Sequence, residues 1–412
     1  MKTIAAALAE MMPHFEPLGA ERRQLLAAQG AVLAEDVIAG IDLPGFDNSA
    51  MDGYAVRHAD ATEAGATGLP VAGESRAGGP PPGPLSPATA MRIFTGAPMP
   101  DGADTVVMVE QTELVAGRLR IARLPDAGSF IRRRGDDLGA GAVALALGSR
   151  IGSGEIGLLA GLGVGAVSVY RRPRVAILAT GDELRDIGQT REPGTIVNSN
   201  TYALAAMVRE AGAEPQVLPT ANDDLEVIKA SLRQALTAAD LVLTTGGVSV
   251  GAYDLVAEAY AQVGVVSHFW KVAIKPGKPL RFGSCGGVPV VGLPGNPVSA
   301  MVTFEVFVRP GIRRMLGDLR PYRQPVTVEL TQALFHDPGR LELVRARLRH
   351  EAGRLLAEPH PRQGSGSLPS MSGVDALVMV PTDCTRVAAG EKLSALLLSE
   401  AAAGSRATPP FA

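Results

Sequence analysis

Between residues 174 and 317 short apolar runs alternate with longer amphipathic ones, and this rhythm constrains the fold more than any other feature of the 412-residue chain. The first run, Arg174–Thr180, ends at Gly181. Leu204, Met207, Val208 and Ala211 then share one helical face, with Asn200 as candidate N-cap and Gly212 as stop. Gln216–Pro219 predicts a second strand, and Leu225, Ile228, Leu232 and Leu236 predict a helix opened by Asp223 or Asp224. Leu241–Thr245 runs into Gly246-Gly247, and Val256, Tyr260 and Val263 pattern another helix. Val288–Leu293 meets Pro294-Gly295-Asn296-Pro297, where Asn296 suits an N-cap and Pro297 the first helical position. Strands and helices alternating at these lengths argue for a mostly parallel, doubly wound sheet. Ligands in such sheets sit at the carboxyl ends of the strands. Those ends carry Gly181-Asp182-Glu183, Gly246-Gly247 and Pro294-Gly295-Asn296.

Elsewhere the period changes. Val326, Val328 and Leu330 alternate with polar residues, and Val344–Leu348 and Leu355–Glu358 flank Glu351-Ala352-Gly353, a hairpin signal. Ala376–Val380 and Lys392–Leu398 add strands, so residues 319–400 predict a small β-domain. Short apolar runs among glycines and prolines predict a β-rich domain over 41–138, whereas 1–40 and 139–171 read as helical or mixed. Ile4, Leu8, Met11 and Phe15 fall at helical spacing, which fits an amphipathic helix and not a signal peptide.

Composition excludes several functions. A net charge of −3 leaves no global basic surface for nucleic acid or an anionic membrane. Aromatic residues make up only 4% of the chain, too few for platforms that stack single-stranded bases. Cys285 and Cys384 form no CxxC motif and suggest a reducing compartment. The six histidines lack zinc spacing, no G-x-S-x-G elbow is present, and no apolar run reaches the ~18 residues that span a bilayer. The expectation is a soluble cytoplasmic protein.

Acidic motifs in glycine-bounded loops carry Asp52, Asp136-Asp137, Asp182-Glu183 and Asp254. Carboxylates converging from loops suit a hard cation such as Mg²⁺, which takes oxygen ligands and bridges to phosphate. The same acids also suit structural work: Asp254 at a helix N-terminus, Asp136 or Asp137 against Arg132–Arg134. Thr244-Thr245-Gly246-Gly247-Val248-Ser249 follows a strand and precedes a helix, where backbone amides approach an anion or glycine merely serves the turn. The segment 270–279 presents Lys271, Lys275 and Lys278. In an extended strand Lys271 and Lys275 share a face, and Pro276-Gly277 turns Lys278 back toward them. Three convergent ammonium groups repel unless an anion lies between them. From the residues alone the chain is an α/β enzyme handling an anionic, phosphorylated ligand with a divalent metal.

The ordered motifs PGFDNSAMDGYAV (44–56), RIFTGAPMPDGADTVVMVEQ (92–111), RRRGDDL (132–138), TGDEL, NSN, TTGGVSVG, WKVAIKPGKP, LPGNPVS (293–299) and QGSGSL (363–368) resemble the molybdopterin molybdenumtransferase, or MoeA, family, to which the gephyrin E domain is similar. The resemblance implies an α/β plus β multidomain fold. Residues 1–40 and 139–171 would form a discontinuous dimerisation domain, 41–138 a β-rich insert, 172–318 a doubly wound molybdopterin-binding domain and 319–412 a small β-barrel. It implies a cytoplasmic homodimer that takes adenylylated molybdopterin and molybdate, releases AMP with the help of Mg²⁺, and has a site shared between subunits. It also implies transient contact with a molybdopterin adenylyltransferase and molybdoenzyme maturation factors.

Carried over by motif, Asp52, Glu183, Asp254, Lys271 and Lys275 are the expected catalytic residues, with Glu183 and Asp254 as metal ligands. Thr95, Asp137, Asp223, Gly246, Gly247, Ser249, Lys278, Pro294, Pro297, Arg345 and Ser365 are the expected substrate contacts, the last pair of side chains, Arg345 and Ser365, for molybdate. The sequence departs from the family pattern at Ala252, at Leu255 and between Arg340 and Arg345, and Asp223 and Asp224 compete for one position. A scaffolding role is the rival function, disfavoured by the lack of a long linker; tungstate is the rival oxyanion.

Overall fold

The computed structural model describes residues 1–190, 192–247 and 255–398, which fall into two compact units. Ser249 and Asp254 lie outside the described residues.

One unit comprises Arg22–Gln29 and Glu35–Val167. Its centre is a six-stranded sheet built from β1 (Gly53–Val56), β2 (Leu69–Ser75), β3 (Ala90–Ile93), β4 (Thr105–Met108), β5 (Thr112–Val115) and β6 (Arg118–Ile121), in the order β4-β1-β3-β2-β6-β5. Every residue of β1 is buried. The strand lies so close to β4 that a Cβ on Gly53 would sit 1.9 Å from the Val107 carbonyl oxygen, so only glycine fits there. That close approach fixes where the preceding residue, Asp52, leaves the sheet.

The other unit comprises Met1–Glu21, Gly30–Ala34 and the chain from Ser168 onward. Its first sheet joins β7 (Arg174–Ala179), β8 (Glu214–Val217), β9 (Leu241–Thr245), β10 (Val266–Trp270), β12 (Arg281–Cys285) and β13 (Val288–Leu293), in the order β8-β7-β9-β13-β12-β10. The strands β8, β7, β9 and β13 run parallel, and β12 and β10 are antiparallel. The parallel strands β7, β9 and β13 are apolar runs because helices cover both faces. On one face pack α1 (Ile4–Met11), through Ala7, Met11 and the following Phe15, together with α2 (Ser199–Glu210); α3 (Leu225–Ala238) and α4 (Leu255–Gln262) cover the other. Ile228, Leu232 and Ala235 give α3 its buried stripe.

After α5 (Pro297–Thr303), a π-helical turn over Phe304–Val308 and α6 (Arg309–Met315), the chain enters a closed five-stranded barrel. Its strands are β14 (Pro325–Leu330), β15 (Leu341–Glu351), β16 (Arg354–Pro359), β17 (Ala376–Val380) and β18 (Lys392–Leu397). They pair in the cycle β14-β18-β17-β15-β16-β14, which leaves no free edge within the ring. The expected hairpin joins β15 to β16 through Ala352 and Gly353, both at positive φ as a two-residue turn of this hand requires. A short strand, β11 (Ile274–Lys275), leaves the α/β sheet and pairs with β15, Lys275 opposite Glu342. No helix among the described residues is long and apolar enough to cross a membrane.

Candidate active site

The carboxyl ends of the parallel strands gather three of the sequence motifs through one side chain. Asn200 Nδ2 donates to Thr245 Oγ1 and to the Gly295 carbonyl, 2.8 Å each. The amide of Asn200 is therefore spent between loops, and the cap of α2 is Asn198, whose Oδ1 accepts from Thr201 N; the expected cap lies two residues too late. Thr245 Oγ1 also donates to the Pro294 carbonyl at 3.3 Å. Between these loops Gly246 has φ +95°, and a Cβ there would stand 2.3 Å from the Thr180 carbonyl oxygen. At Gly247, φ +62°, a Cβ would meet Val256. The double glycine is thus a packing requirement as well as a backbone-lined turn.

The acidic loops close the other side. Asp223 N donates to Asp182 Oδ1 at 3.0 Å and Asp182 N to Asp223 Oδ2 at 3.4 Å, tying the end of β7 to the start of α3. Asp224 is the helix cap, accepting from Glu226 N and Val227 N, which leaves Asp223 to the loop pair. Glu183 is exposed beside them, its carboxylate folded against Gly181. A cavity of about 630 Å³ opens here, lined by Gly181, Asp182, Arg185, Asp186, Thr220 and Asn222.

The barrel supplies the third side. Ser365, in the loop before the turn over Leu368–Met371, accepts from Asn296 Nδ2 at 3.0 Å, and its carbonyl accepts from Val298 N at 3.1 Å in the first turn of α5. Asn296 holds the expected N-cap position of α5, with Pro297 after it, but its amide turns to Ser365 and makes no side-chain cap bond. Pro294, Pro297 and Ser365 are brought together by these bonds. Arg345 on β15 is fully buried behind that loop. Its Nη2 donates to the carbonyls of Arg362 and Gly364, while Nε and Nη1 have no hydrogen-bond partner among the described residues. Burial lowers its pKa to about 10, partly offset by the Glu342 charge, so the guanidinium stays protonated at neutral pH. An unsatisfied buried donor costs about 1–3 kcal/mol, so these two N–H groups call for an acceptor.

The three lysines do not share one strand. The strand β10 ends at Trp270, and Lys271 turns off it with φ +76°, its ammonium 3.7 Å from the Trp270 ring centroid. Lys275 belongs to the barrel's sheet, where Glu342 lies 3.2 Å and Asp337 3.5 Å from its ammonium. The same Glu342 oxygen takes a 2.7 Å bond from the buried His336 ring. The expected alternation fails because the chain changes sheets between Lys271 and Lys275. The turn itself holds: Val272 N donates to the Lys278 carbonyl, but the Lys278 side chain is exposed.

In the other unit Asp52 and Thr95 are brought together. Asp52 Oδ1 accepts from Thr95 N at 2.7 Å and Thr95 Oγ1 at 2.8 Å. The backbone bond first, then the hydroxyl, then the Arg92 charge hold the Asp52 carboxyl below its ordinary pKa. Asp137 is not joined to this pair; its backbone N donates to the Leu43 carbonyl. The neighbouring arginines pair with other acids, Arg133 with Asp47 and Arg134 with Asp42. Asn200, Thr245, Glu342 and His336 were the polar groups that pattern reading missed. Only Asn200 and Thr245 had a signal, their place beside glycines at strand ends.

Comparison with known proteins adds to this geometry. Residues 2–163 match the MoeA N-terminal region (domains I and II), 176–314 a probable molybdopterin-binding domain, and 327–398 the MoeA C-terminal region (domain IV). Over 396 residues the chain is 42% identical to molybdopterin molybdenumtransferase 2 of Mycobacterium tuberculosis, covering 94% of this chain and 96% of the relative. The chain belongs to the MoeA family. A second MoeA relative, the molybdopterin molybdenumtransferase of Nostoc, is 40% identical over 91% of this chain and 88% of its own. Among solved structures, the MoeA molybdopterin biosynthesis protein of Pyrococcus horikoshii superposes with a TM-score of 0.83 at 31% identity, covering 96% of this chain and 99% of that one. The MoeA fold accounts for the closed barrel and for the α/β sheet whose strand ends form the cluster above.

Proposed function

We propose that this chain is a molybdopterin molybdenumtransferase that inserts molybdenum from molybdate into adenylylated molybdopterin and releases AMP. Its relatives bear that enzyme name. The observation that carries the chemistry is the buried Arg345 guanidinium, whose Nε and Nη1 lack acceptors beside the Ser365 loop. An oxyanion beside the guanidinium supplies an acceptor to one of these charged donors. Lys275, held by Glu342 and the exposed Asp337, is a cation that trades the solvated carboxylate for a substrate anion. The strand-end loops, fixed by Asn200, orient the pterin-bearing substrate over the cavity at Gly181 and Asp182.

Mg²⁺ fits the acids there, Asp182 on the cavity wall and the exposed Glu183 next to it in the chain: it binds through one or two carboxylates, keeps waters and bridges to phosphates. Glu183 would hold the ion, and Mg²⁺ bound there supplies charge neutralisation of the phosphoanhydride. A homodimer is part of the proposal. Ile38 and Val143, paired in register across a short ladder, are each about half exposed (50% and 52%), and Leu147 beside them is 48% exposed, an apolar face suited to a second copy.

The test is an AMP-release assay on the full chain with Mg²⁺ and adenylylated molybdopterin. With molybdate, AMP and metallated pterin appear together; a parallel tungstate arm sets the oxyanion preference. Tight ligand binding without AMP release contradicts the proposal.

A further inference from the structure

Arg92 lies on β3, opposite Tyr54 of β1. Its guanidinium carbon is 4.9 Å from the Tyr54 ring centroid and 5.3 Å from that of Phe94. Two aromatic contacts of this kind hold a cation in place. The Arg92 side chain makes no hydrogen bond or ion pair among the described residues, although its charge is felt at Asp52. The acids near it make their contacts elsewhere: Asp52 Oδ1 accepts both bonds from Thr95, and Glu74, paired in register with Arg92 from β2, is bridged to Arg76. A half-buried guanidinium held beside two rings, with no acceptor among the described residues, is a preformed anion receptor, and the hydroxyl of Thr95 stands three residues further along the chain.

We infer that Arg92 is an anion-binding residue of the Asp52–Thr95 site and that it takes two oxygens of a phosphate on the nucleotide-bearing substrate, with Tyr54 and Phe94 as its positioning residues. The inference rests on the proposed function for the identity of the substrate, but the anion site itself does not. A phosphate is the group expected because the nucleotide-bearing substrate carries phosphates, which arginine takes bidentately.

The experiment compares the wild-type chain with Arg92→Gln, Arg92→Lys and Phe94→Leu. Inorganic pyrophosphate is the calorimetric probe, measured at two salt concentrations. Arg92→Gln should weaken pyrophosphate binding about 10-fold and flatten its salt dependence, with Arg92→Lys recovering the charge but not the fork. In turnover, Arg92→Gln should raise KM for adenylylated molybdopterin about 10-fold with kcat within about 3-fold, and Phe94→Leu should raise KM more than it lowers Tm would explain. Unchanged pyrophosphate affinity and KM in a folded Arg92→Gln or Arg92→Lys chain overturns the inference and leaves Arg92 a packing residue. A wild-type chain that binds pyrophosphate through Arg92 but releases no AMP overturns the functional reading instead, so the two failures are separable.

Discussion

The strand-end cluster and the Asp52–Thr95 pair position their functional groups in opposite ways. At the strand ends the loops are tied to one another through backbone groups: Asn200 Nδ2 donates to the Gly295 carbonyl, and Val298 N donates to the Ser365 carbonyl. In the inserted sheet the pair is exposed, and what is rigid is the strand beneath it, where Gly53 meets β4. The contrast teaches where stability and activity are tied together. A change in the first region disturbs loops that are also the core's boundary, whereas a change in the second alters charge and donors on a surface that stays folded.

The sharpest way to break this contrast is at the double glycine. Gly246→Ala places a methyl on the Thr180 carbonyl at a left-handed φ, so it should cost more than ~2 kcal/mol and abolish turnover together. Urea unfolding and AMP release on the same preparation read both losses; an active, stable variant would put the strand ends in the same class as the exposed pair. Thr95→Val is the matching change in the other region. It removes the hydroxyl bond to Asp52 and keeps the backbone one, so turnover should fall roughly 10-fold with Tm almost unmoved. Because that bond helps lower the Asp52 pKa, its loss lets the carboxyl rise toward its ordinary value. The acid limb of the pH–rate profile should therefore shift to higher pH; an unmoved limb means Asp52 is not the group that titrates in turnover.

The parallel strands were legible because a buried strand must be a continuous apolar run. Leu241–Thr245 and Val288–Leu293 have the bounds expected of them. The β15–β16 hairpin was legible for a local reason, Gly353 after Ala352. The lysine segment was not, because nothing local in Lys271–Lys275 announces that the chain leaves one sheet for another. The same holds for Glu342, whose partners Lys275 and His336 are set by barrel register. One cap was misread where an asparagine had a better partner: Asn200 turns its amide to groups far along the chain and Asn198 caps the helix, whereas Asn296 keeps its cap position while its amide bonds Ser365. Sequence pattern reaches the residues that satisfy local backbone and stops at those satisfied across domains.

The smallest expected effect lies away from both regions and separates stability from the site altogether. The His14 and His268 rings stand 4.3 Å apart beside Phe282, with Glu10 on the same N-terminal segment and Ser284 bonded to His268. Burial first, then the His14 charge, lowers the His268 pKa from its ordinary 6.5, against the pull of Glu10. A histidine whose folded pKa is depressed adds stability above its unfolded value, and that contribution fades as pH falls below about 6.5 and levels off once the folded ring is protonated. The urea midpoint should be lower at pH 5.5 than at pH 8, and His268→Gln should shrink the difference; an identical pH dependence in the variant removes His268 from the cause.

Molybdate binding at Arg345 bears on all of this most directly. Equilibrium dialysis of the wild-type chain against Arg345→Met, with Tm recorded on both, asks whether the two unpartnered nitrogens are kept for an anion. Loss of at least 100-fold in molybdate affinity with Tm unchanged or raised is the expected pairing, since an apolar side chain of similar size removes buried unsatisfied charge. Unaltered molybdate affinity, or a collapse of Tm, would contradict it and return Arg345 to a purely structural role.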